Sequence, residues 1–299
     1  GRHYLMATFR SPAYQATHVM QQLQRTALRS VGTVRNYEQA LNRVAEWAQR
    51  QRLDGGLRAM TPELAVRYLE ERGQEVGQKA LDIELQGMQA MMRHVTGKLA
   101  ADERLPVVKS EQAQALEARA YTPQQAALIA SAQNERNGLA TEIAHAAGLR
   151  AHELLTLARR DERAADPRPA LDTKWQGRSG ERYTVQGKGG LVREVLIPSR
   201  LAERLEATRR DEPARITDRG VHYESRYDIG GGQRWSNSVS AASERTLSWS
   251  TGAHGLRHSY AQERMTELQR GGLPRDQALT VVSQEMGHFR PEITEVYLR

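Results

Sequence analysis

Apolar residues recur at steps of three and four through the first hundred residues, and no segment there alternates as a strand does. Residues 37–48 carry one such apolar stripe. Thr61, followed by proline, predicts the start of another helix, because its hydroxyl can cap free amide groups. Gly73 predicts the end of that helix, and residues 81–95 form the next. The spacing therefore predicts a helical domain over residues 12–100.

Three arginines, Arg35, Arg43 and Arg50, lie off the apolar stripe. They fit phosphate contacts or an ordinary solvated basic face equally well. The polar, charged segment 101–118 contains a proline that interrupts any helix, so we expect a linker there.

A second domain is expected over residues 119–299. Thr122, with glutamine three residues later, predicts a capping box that opens a helix. Helical spacing continues through Leu139, Ile143 and Leu154.

The pattern changes at residues 183–185 and 192–197, which are typical of strands. Glycines at 187–190 predict a hairpin between them. Residues 219–253 are rich in Gly, Ser and Arg and are interpreted as mostly loop, and helices return from about His258. The predicted fold class is mainly α, formally α+β, with one small antiparallel sheet.

The formal net charge is +7 and the isoelectric point about 9.8, which favours a polyanionic partner. The absence of cysteine excludes disulfides, a thiolate nucleophile and zinc–thiolate sites. No apolar run approaches the roughly 20 residues of a membrane span, and the first residues carry no secretory core. We therefore expect a cytoplasmic protein with no membrane partner.

Five short segments of the second domain concentrate chemically active side chains. In the first, Arg150 and Glu153 are three residues apart and would share a helical face, where alone they predict only an ion pair. The second has Lys188 among glycines, which let a loop approach a ligand. A nucleotide-binding P-loop is excluded because Arg182 and Gly189 stand where that motif needs glycine and Ser or Thr.

His254 and Arg257 form the third segment and, three residues apart, can face one point. His254 and His258 also have a spacing that suits zinc, but no acidic or cysteine ligand is obvious nearby. His288 and Tyr297 form the fourth and fifth segments. Nine residues separate them, so a turn and a short helix can return the phenol to the histidine.

Together these groups suit phosphoryl transfer without a metal. Two arginines can clamp the oxygens of a phosphodiester, and two histidines add donors that stabilise the developing charge. The phenol of Tyr297 can attack once a histidine accepts its proton. Lys188 can protonate the leaving oxygen.

The ordered set resembles the tyrosine recombinase family, the phage-type integrases. It lies in GLRAHELLTL, QGKGGLVREV, HGLRHSYA, MGH and ITEVY. The resemblance is clear from about residue 120 onward and consistent over the helical first half, which is similar to the family's core-binding domain.

This resemblance implies that two domains clamp double-stranded DNA and that Tyr297 forms a 3′-phosphotyrosine bond. Four protomers on two specific sites would then exchange strands through a Holliday junction without metal or nucleotide cofactor. Arg150, Arg257, His254 and His288 would hold the phosphate, with Lys188 as the acid and Glu153 in support. It further implies a bacterial, nucleoid-associated protein of a phage or mobile element, with accessory DNA-bending or directionality factors as candidate partners.

Three departures from the family pattern are expected to matter, and the first of them bears on assembly. The sequence stops two residues after Tyr297, begins at Gly1 without methionine, and shows no separate arm-binding domain. Two other functions remain: a type IB topoisomerase, which the spacing from His288 to Tyr297 disfavours, and a non-catalytic DNA-binding relative, which the complete residue set disfavours.

Overall fold

The computed structural model describes residues 10–26, 31–112 and 117–299. The chain divides into two compact units, Gly1–Ala115 and Leu116–Arg299. Part of the expected linker, 113–116, lies outside the described residues, as do 27–30 of the expected first domain. The predicted domain boundaries therefore stay a prediction.

The described part of the first unit contains four α-helices. They are α1 (Pro12–Thr26), α2 (Val31–Arg50), α3 (Pro62–Arg72) and α4 (Gln78–His94). Thr61 caps α3 through its hydroxyl, which accepts from the amide of Leu64 at 3.2 Å, as its sequence predicts. The apolar stripes meet in one core that includes Leu23, Leu41 and Met88. Residues 105–112 run along this unit, where Leu105 is buried and the Glu111 amide bonds to the Gly73 carbonyl at 2.9 Å.

The second unit begins with α5 (Pro123–Ser131) and α6 (Glu135–Ala147). The predicted capping box is present, since Thr122 and Gln125 each bond through the side chain to the other's amide. The α-helix expected to run through Leu154 ends earlier, because Gly148 adopts a left-handed φ of 68° after α6. Glu153–Thr156 is a separate 3-10 turn, and the expectation of a helix carrying Arg150 and Glu153 was wrong.

A three-stranded antiparallel sheet follows, in the order β1 (Ala158–Arg159), β2 (Glu181–Gln186) and β3 (Val192–Ile197). The predicted hairpin joins β2 and β3, with Glu181 opposite Ile197 and Gln186 opposite Val192. Its turn is closed by the Gly187 amide, which donates to the Leu191 carbonyl at 2.7 Å.

The segment interpreted as loop is instead largely ordered. After α7 (Ser199–Glu206), β4 (Arg209–Asp218) and β5 (Val221–Tyr227) form a second hairpin, followed by α8 (Gly232–Leu247). The prediction failed because one face of this hairpin is exposed and charged, so its strands lack an apolar run. Left-handed Arg219 and Gly220 make the tight turn between them.

Three helices complete the chain: α9 (His254–Arg270), α10 (Arg275–Met286) and α11 (Pro291–Glu295), followed by a 3-10 turn at Val296–Leu298. Helix α9 begins four residues before its predicted start. Gly255 lowers helix propensity in the sequence, but a Cβ there would lie 2.7 Å from the Arg119 carbonyl, so close packing requires glycine in this first turn. None of the described helices is both long and apolar enough to cross a lipid bilayer.

Candidate active site

Helix α9 meets the end of the chain, and this contact creates the candidate site. His254, Arg257 and His258 follow helical spacing and lie on one side of α9. The short helix α11 returns the chain, so that Tyr297 packs against them and is only 8% exposed. The turn and short helix expected between His288 and Tyr297 are therefore present.

The ring of Tyr297 is surrounded by three imidazoles and one guanidinium. Its centroid lies 5.3 Å from that of His254, 4.8 Å from that of His258 and 5.2 Å from that of His288. The Cζ atom of Arg257 lies 5.3 Å from the same centroid. The structure thus brings together four of the seven predicted site residues, together with His258.

Arg257 is completely buried at the centre of this group. Its guanidinium donates to the carbonyls of Gly148 and Met286, the latter at 3.3 Å, and contacts His288 Nε2 at 3.2 Å. Burial, together with repulsion from Arg150, lowers the pKa of Arg257 to about 10. The group therefore stays charged at neutral pH.

Glu153 connects two further arginines to the site. It is fully buried, and its carboxylate accepts from Arg150 Nη1 at 2.7 Å and from Arg193 Nη2 at 2.6 Å. Burial acts to raise the pKa of a carboxyl, but the charges of Arg193, Arg257 and Arg150 outweigh it and lower the pKa of Glu153 to about 2. The predicted contact of Arg150 with Glu153 is present, although a turn rather than a helix supports it.

The tautomer of His288 follows from its neighbours. A guanidinium can only donate, so His288 Nε2 accepts from Arg257, and Nδ1 carries the proton and donates to Thr294 Oγ1 at 2.7 Å. Burial, followed by the charge on Arg257, lowers the pKa of His288 to about 3. The ring is consequently neutral at physiological pH.

The other two imidazoles are also shifted toward the neutral form. Burial and then the charge of Arg119 lower the pKa of His258 to about 4. Desolvation and then the charge of Arg257 lower the pKa of His254 too, but by less, because its side chain is exposed and water screens both effects.

Among the described residues, Lys188 makes no hydrogen bond, ion pair or cation–π contact with this group. It lies exposed on the hairpin turn Lys188–Gly190, where Gly189 and Gly190 have left-handed φ. The base of the turn is nevertheless tied to the Glu153 segment, because the Gln186 amide donates to Thr156 Oγ1 at 2.9 Å. The hairpin therefore places Lys188 beside the site, with its side chain exposed to solvent.

Sequence reasoning did not assign Arg193, Thr294 or, except as a zinc ligand, His258. Arg193 lies within the segment quoted for Lys188, but its burial depends on how β3 packs, which spacing does not reveal. Thr294 is the partner of His288 from α11. Among the described residues, no group of three or more His, Asp or Glu side chains is arranged to hold a metal ion.

Comparison with solved structures shows proteins that share the fold of this chain. XerH site-specific recombinase bound to palindromic difH substrate, a post-cleavage complex, has a TM-score of 0.57 and 14% identity over 96% of this chain and 81% of that one. The Tn1549 transposon integrase in complex with transposon right end DNA has a TM-score of 0.56 and 14% identity over 97% of this chain and 95% of that one. The lambda integrase tetramer bound to a Holliday junction has a TM-score of 0.56 and 13% identity over 95% of this chain and 76% of that one.

No model of a known protein family matches the sequence, and no curated protein matches it either. The likeness to the three solved structures shows a shared fold. It confirms the predicted fold class, a mainly helical tyrosine recombinase fold with a small antiparallel sheet.

Proposed function

We propose that the chain belongs to the tyrosine recombinase family and is a site-specific DNA recombinase whose nucleophile is Tyr297. The observation that carries the proposal is the position of its ring, within about 5 Å of three imidazoles and the buried Arg257 guanidinium. The shared fold supports the same assignment.

The charge of the site supports a phosphodiester as the reacting group. Three guanidiniums, those of Arg150, Arg193 and Arg257, surround one carboxylate, that of Glu153. The excess of positive charge favours an anion, and guanidiniums suit the two non-bridging oxygens of a phosphodiester. In the proposed complex Arg150 and Arg257 bind those oxygens, and His254 and His288 add hydrogen bonds.

The proton movements can be balanced with groups of this chain. The Tyr297 oxygen forms a bond to phosphorus, and its proton passes to one of the neutral imidazoles beside the ring. The bond from phosphorus to the 5′-oxygen breaks, and Lys188, once the hairpin turn moves it to the phosphate, supplies the proton that oxygen needs. The products are a 3′-phosphotyrosine and a free 5′-hydroxyl, and no metal or nucleotide takes part.

The partners follow from the same proposal. XerH and the Tn1549 integrase are described bound to their DNA, and lambda integrase as a tetramer on a Holliday junction. For this chain we propose double-stranded DNA with a specific site, and four protomers that exchange strands through such a junction. The proposed substrate puts the protein at the bacterial nucleoid.

Covalent trapping on genomic DNA tests the proposal and finds the target site in one experiment. Sheared genomic DNA carrying random nicks is incubated with the protein, because a nick beside the scissile phosphate lets the short 5′-hydroxyl strand diffuse away and traps the adduct. Protein-bound DNA is recovered after denaturation and sequenced to identify the site. The adduct should map to the tryptic peptide 276–299, since trypsin does not cut between Arg290 and Pro291.

Tyr297→Phe should abolish the adduct, because the phenylalanine ring preserves the packing and lacks the nucleophile. Tyr223→Phe, on β5 outside the imidazole group, is the matched control and should form the adduct as the unchanged protein does. An adduct that survives Tyr297→Phe means that another residue attacks. No adduct from the unchanged protein favours a DNA-binding relative, and supercoil relaxation without exchange between two sites favours a topoisomerase.

A further inference from the structure

Arg193, on β3, contacts two segments that carry proposed site residues. Its Nη2 atom donates to Glu153 Oε2 at 2.6 Å, and its Nη1 atom donates to the Glu285 carbonyl, near the end of α10, at 2.7 Å. The side chain is only 7% exposed. Both of its terminal nitrogens are therefore already engaged by acceptors of this unit.

The end of α10 is shaped to admit this arginine. Gly287 adopts φ +77°, and a Cβ at that position would lie 2.5 Å from Arg193 Cδ. Glycine is thus required there for the close approach as well as for the helix ending. His288 follows directly, so the arginine is held between the segments of Glu153 and of His288.

Several charged and titratable groups face Glu153 or influence it. Arg150 and His152 come from the turn before it, and Arg193 comes from β3. Arg257 comes from α9, and His288 follows the glycine that ends α10. The side chain of Arg150 donates to Oε1, and that of Arg193 donates to Oε2, to which the Arg150 backbone amide also donates at 3.2 Å. A carboxylate this deeply buried keeps its charge only if such partners remain, because burial disfavours the ionised form.

We propose that Arg193 is a positioning residue that holds the Glu153 carboxylate so that Arg150 presents its guanidinium to the scissile phosphate. The inference rests on the proposed function and adds to it a residue that does not touch DNA. Without Arg193, Glu153 loses one of its two side-chain partners and takes up a proton more readily. Arg150 then loses its anionic anchor.

The variants are Arg193→Met, Arg193→Lys and the double variant Arg193→Met with Glu153→Gln. Arg178→Met is the matched control, since Arg178 also binds one carboxylate, that of Glu267, and one carbonyl, that of Ala146, away from the site. Covalent cleavage of a nicked site is measured in single turnover from pH 5.5 to 8.5, beside DNA affinity and urea unfolding.

Arg193→Met should slow cleavage about 10²-fold, as small misplacements in a site do, with DNA affinity within about threefold. Its rate should fall further as the pH decreases, because Glu153 becomes protonated. Arg193→Lys should remove this acid dependence and recover part of the rate. The double variant should cleave slowly at every pH, because it has no carboxyl at position 153 to protonate. Arg178→Met should cleave like the unchanged protein. If Arg193→Met has the rate and pH profile of Arg178→Met, the proposal is wrong.

Urea unfolding at pH 7 separates this inference from the proposed function. Glu153→Gln should recover stability in the Arg193→Met background, because it removes a buried charge that has lost one of its two side-chain partners. If the unchanged protein forms no adduct, the proposed function fails, and the unfolding data still decide whether the two residues act as a pair. Equal stability of single and double variants would overturn the pairing itself.

Discussion

Arg257 shows how one residue can organise the proposed site. A buried guanidinium is stable only when its donors find acceptors, and two carbonyls and the lone pair of His288 serve here. Its Nε atom is buried without a hydrogen-bond partner among the described residues. Without DNA the site therefore holds an excess of donors and of positive charge, which favours binding of an anion.

The histidines predict how stability depends on pH. The pKa values of His258 and His288, about 4 and about 3, lie below the value of about 6.5 expected in the unfolded chain. Between these values the unfolded chain binds more protons, so stability is complete above about pH 6.5 and is lost as the pH falls. Each histidine should contribute a slope of about 1.4 kcal/mol per pH unit near pH 5.

Urea unfolding of the DNA-free protein at pH 7, 6 and 5 measures that slope. His258→Asn should reduce the slope near pH 5 by about 1.4 kcal/mol per pH unit, and His18→Asn, which replaces an exposed histidine of the first unit, is the control. Equal slopes in all three proteins would mean that His258 is not held neutral by its burial.

At the scale of elements, the sequence predicted those whose start or turn depends on a local signal. Thr61, Thr122 and the glycines at 187–190 are such signals, and the elements they mark are present. The second hairpin and α8 were missed. Trp235 and Val239 on α8 are four residues apart and buried, a spacing that could have been recognised among the Ser and Arg around it.

The sequence indicated several residues that lie together at the candidate site, but not how they are connected. Residue order and chemistry indicated His254, Arg257 and Tyr297, because such groups are rarely found together without a shared role. Their partners come from distant segments, since the Gly148 carbonyl that accepts from Arg257 lies 109 residues away, and Arg193 lies 40 residues from Glu153. No spacing rule connects residues that meet only when β3 packs on the turn.

The second hairpin should stabilise the helix that follows it. Asp218, at the end of β4, accepts from the amide of Gln233 in the first turn of α8 at 2.8 Å and is 10% exposed. A carboxylate there satisfies a free amide and interacts favourably with the helix dipole. Asp218→Ala should lower the free energy of unfolding by about 1 kcal/mol, and Asp218→Asn by less, because the amide oxygen can still accept.

Urea denaturation at pH 7 measures both changes. Asp211→Ala, an exposed acidic residue on the same strand, is the control for loss of charge alone. A loss for Asp218→Ala no larger than that for Asp211→Ala would rule out the capping role.

For the whole molecule, the net charge of +7 favours a polyanion, and the number of phosphates contacted sets how binding responds to salt. Neutralising phosphates releases the counterions of DNA, and log K falls with log salt at a slope of about −0.9 for each phosphate contacted. In the proposed complex with DNA, each basic side chain that contacts a phosphate adds to this slope. The affinity of this chain for its site should therefore fall steeply between about 50 and 200 mM salt.

Tyr297→Phe is the variant to use for this measurement. It cannot form the covalent bond to DNA, which salt would not reverse, so only reversible binding is measured. Arg150→Gln in that background should make the slope shallower by about 0.9, as one phosphate contact is lost, whereas Arg178→Gln should leave it unchanged. Fluorescence anisotropy on the selected site and on unrelated DNA gives both slopes. Since phosphates are the same in any sequence, the two slopes should be similar while the affinities differ. A flat response would show that the basic charge is not what binds DNA.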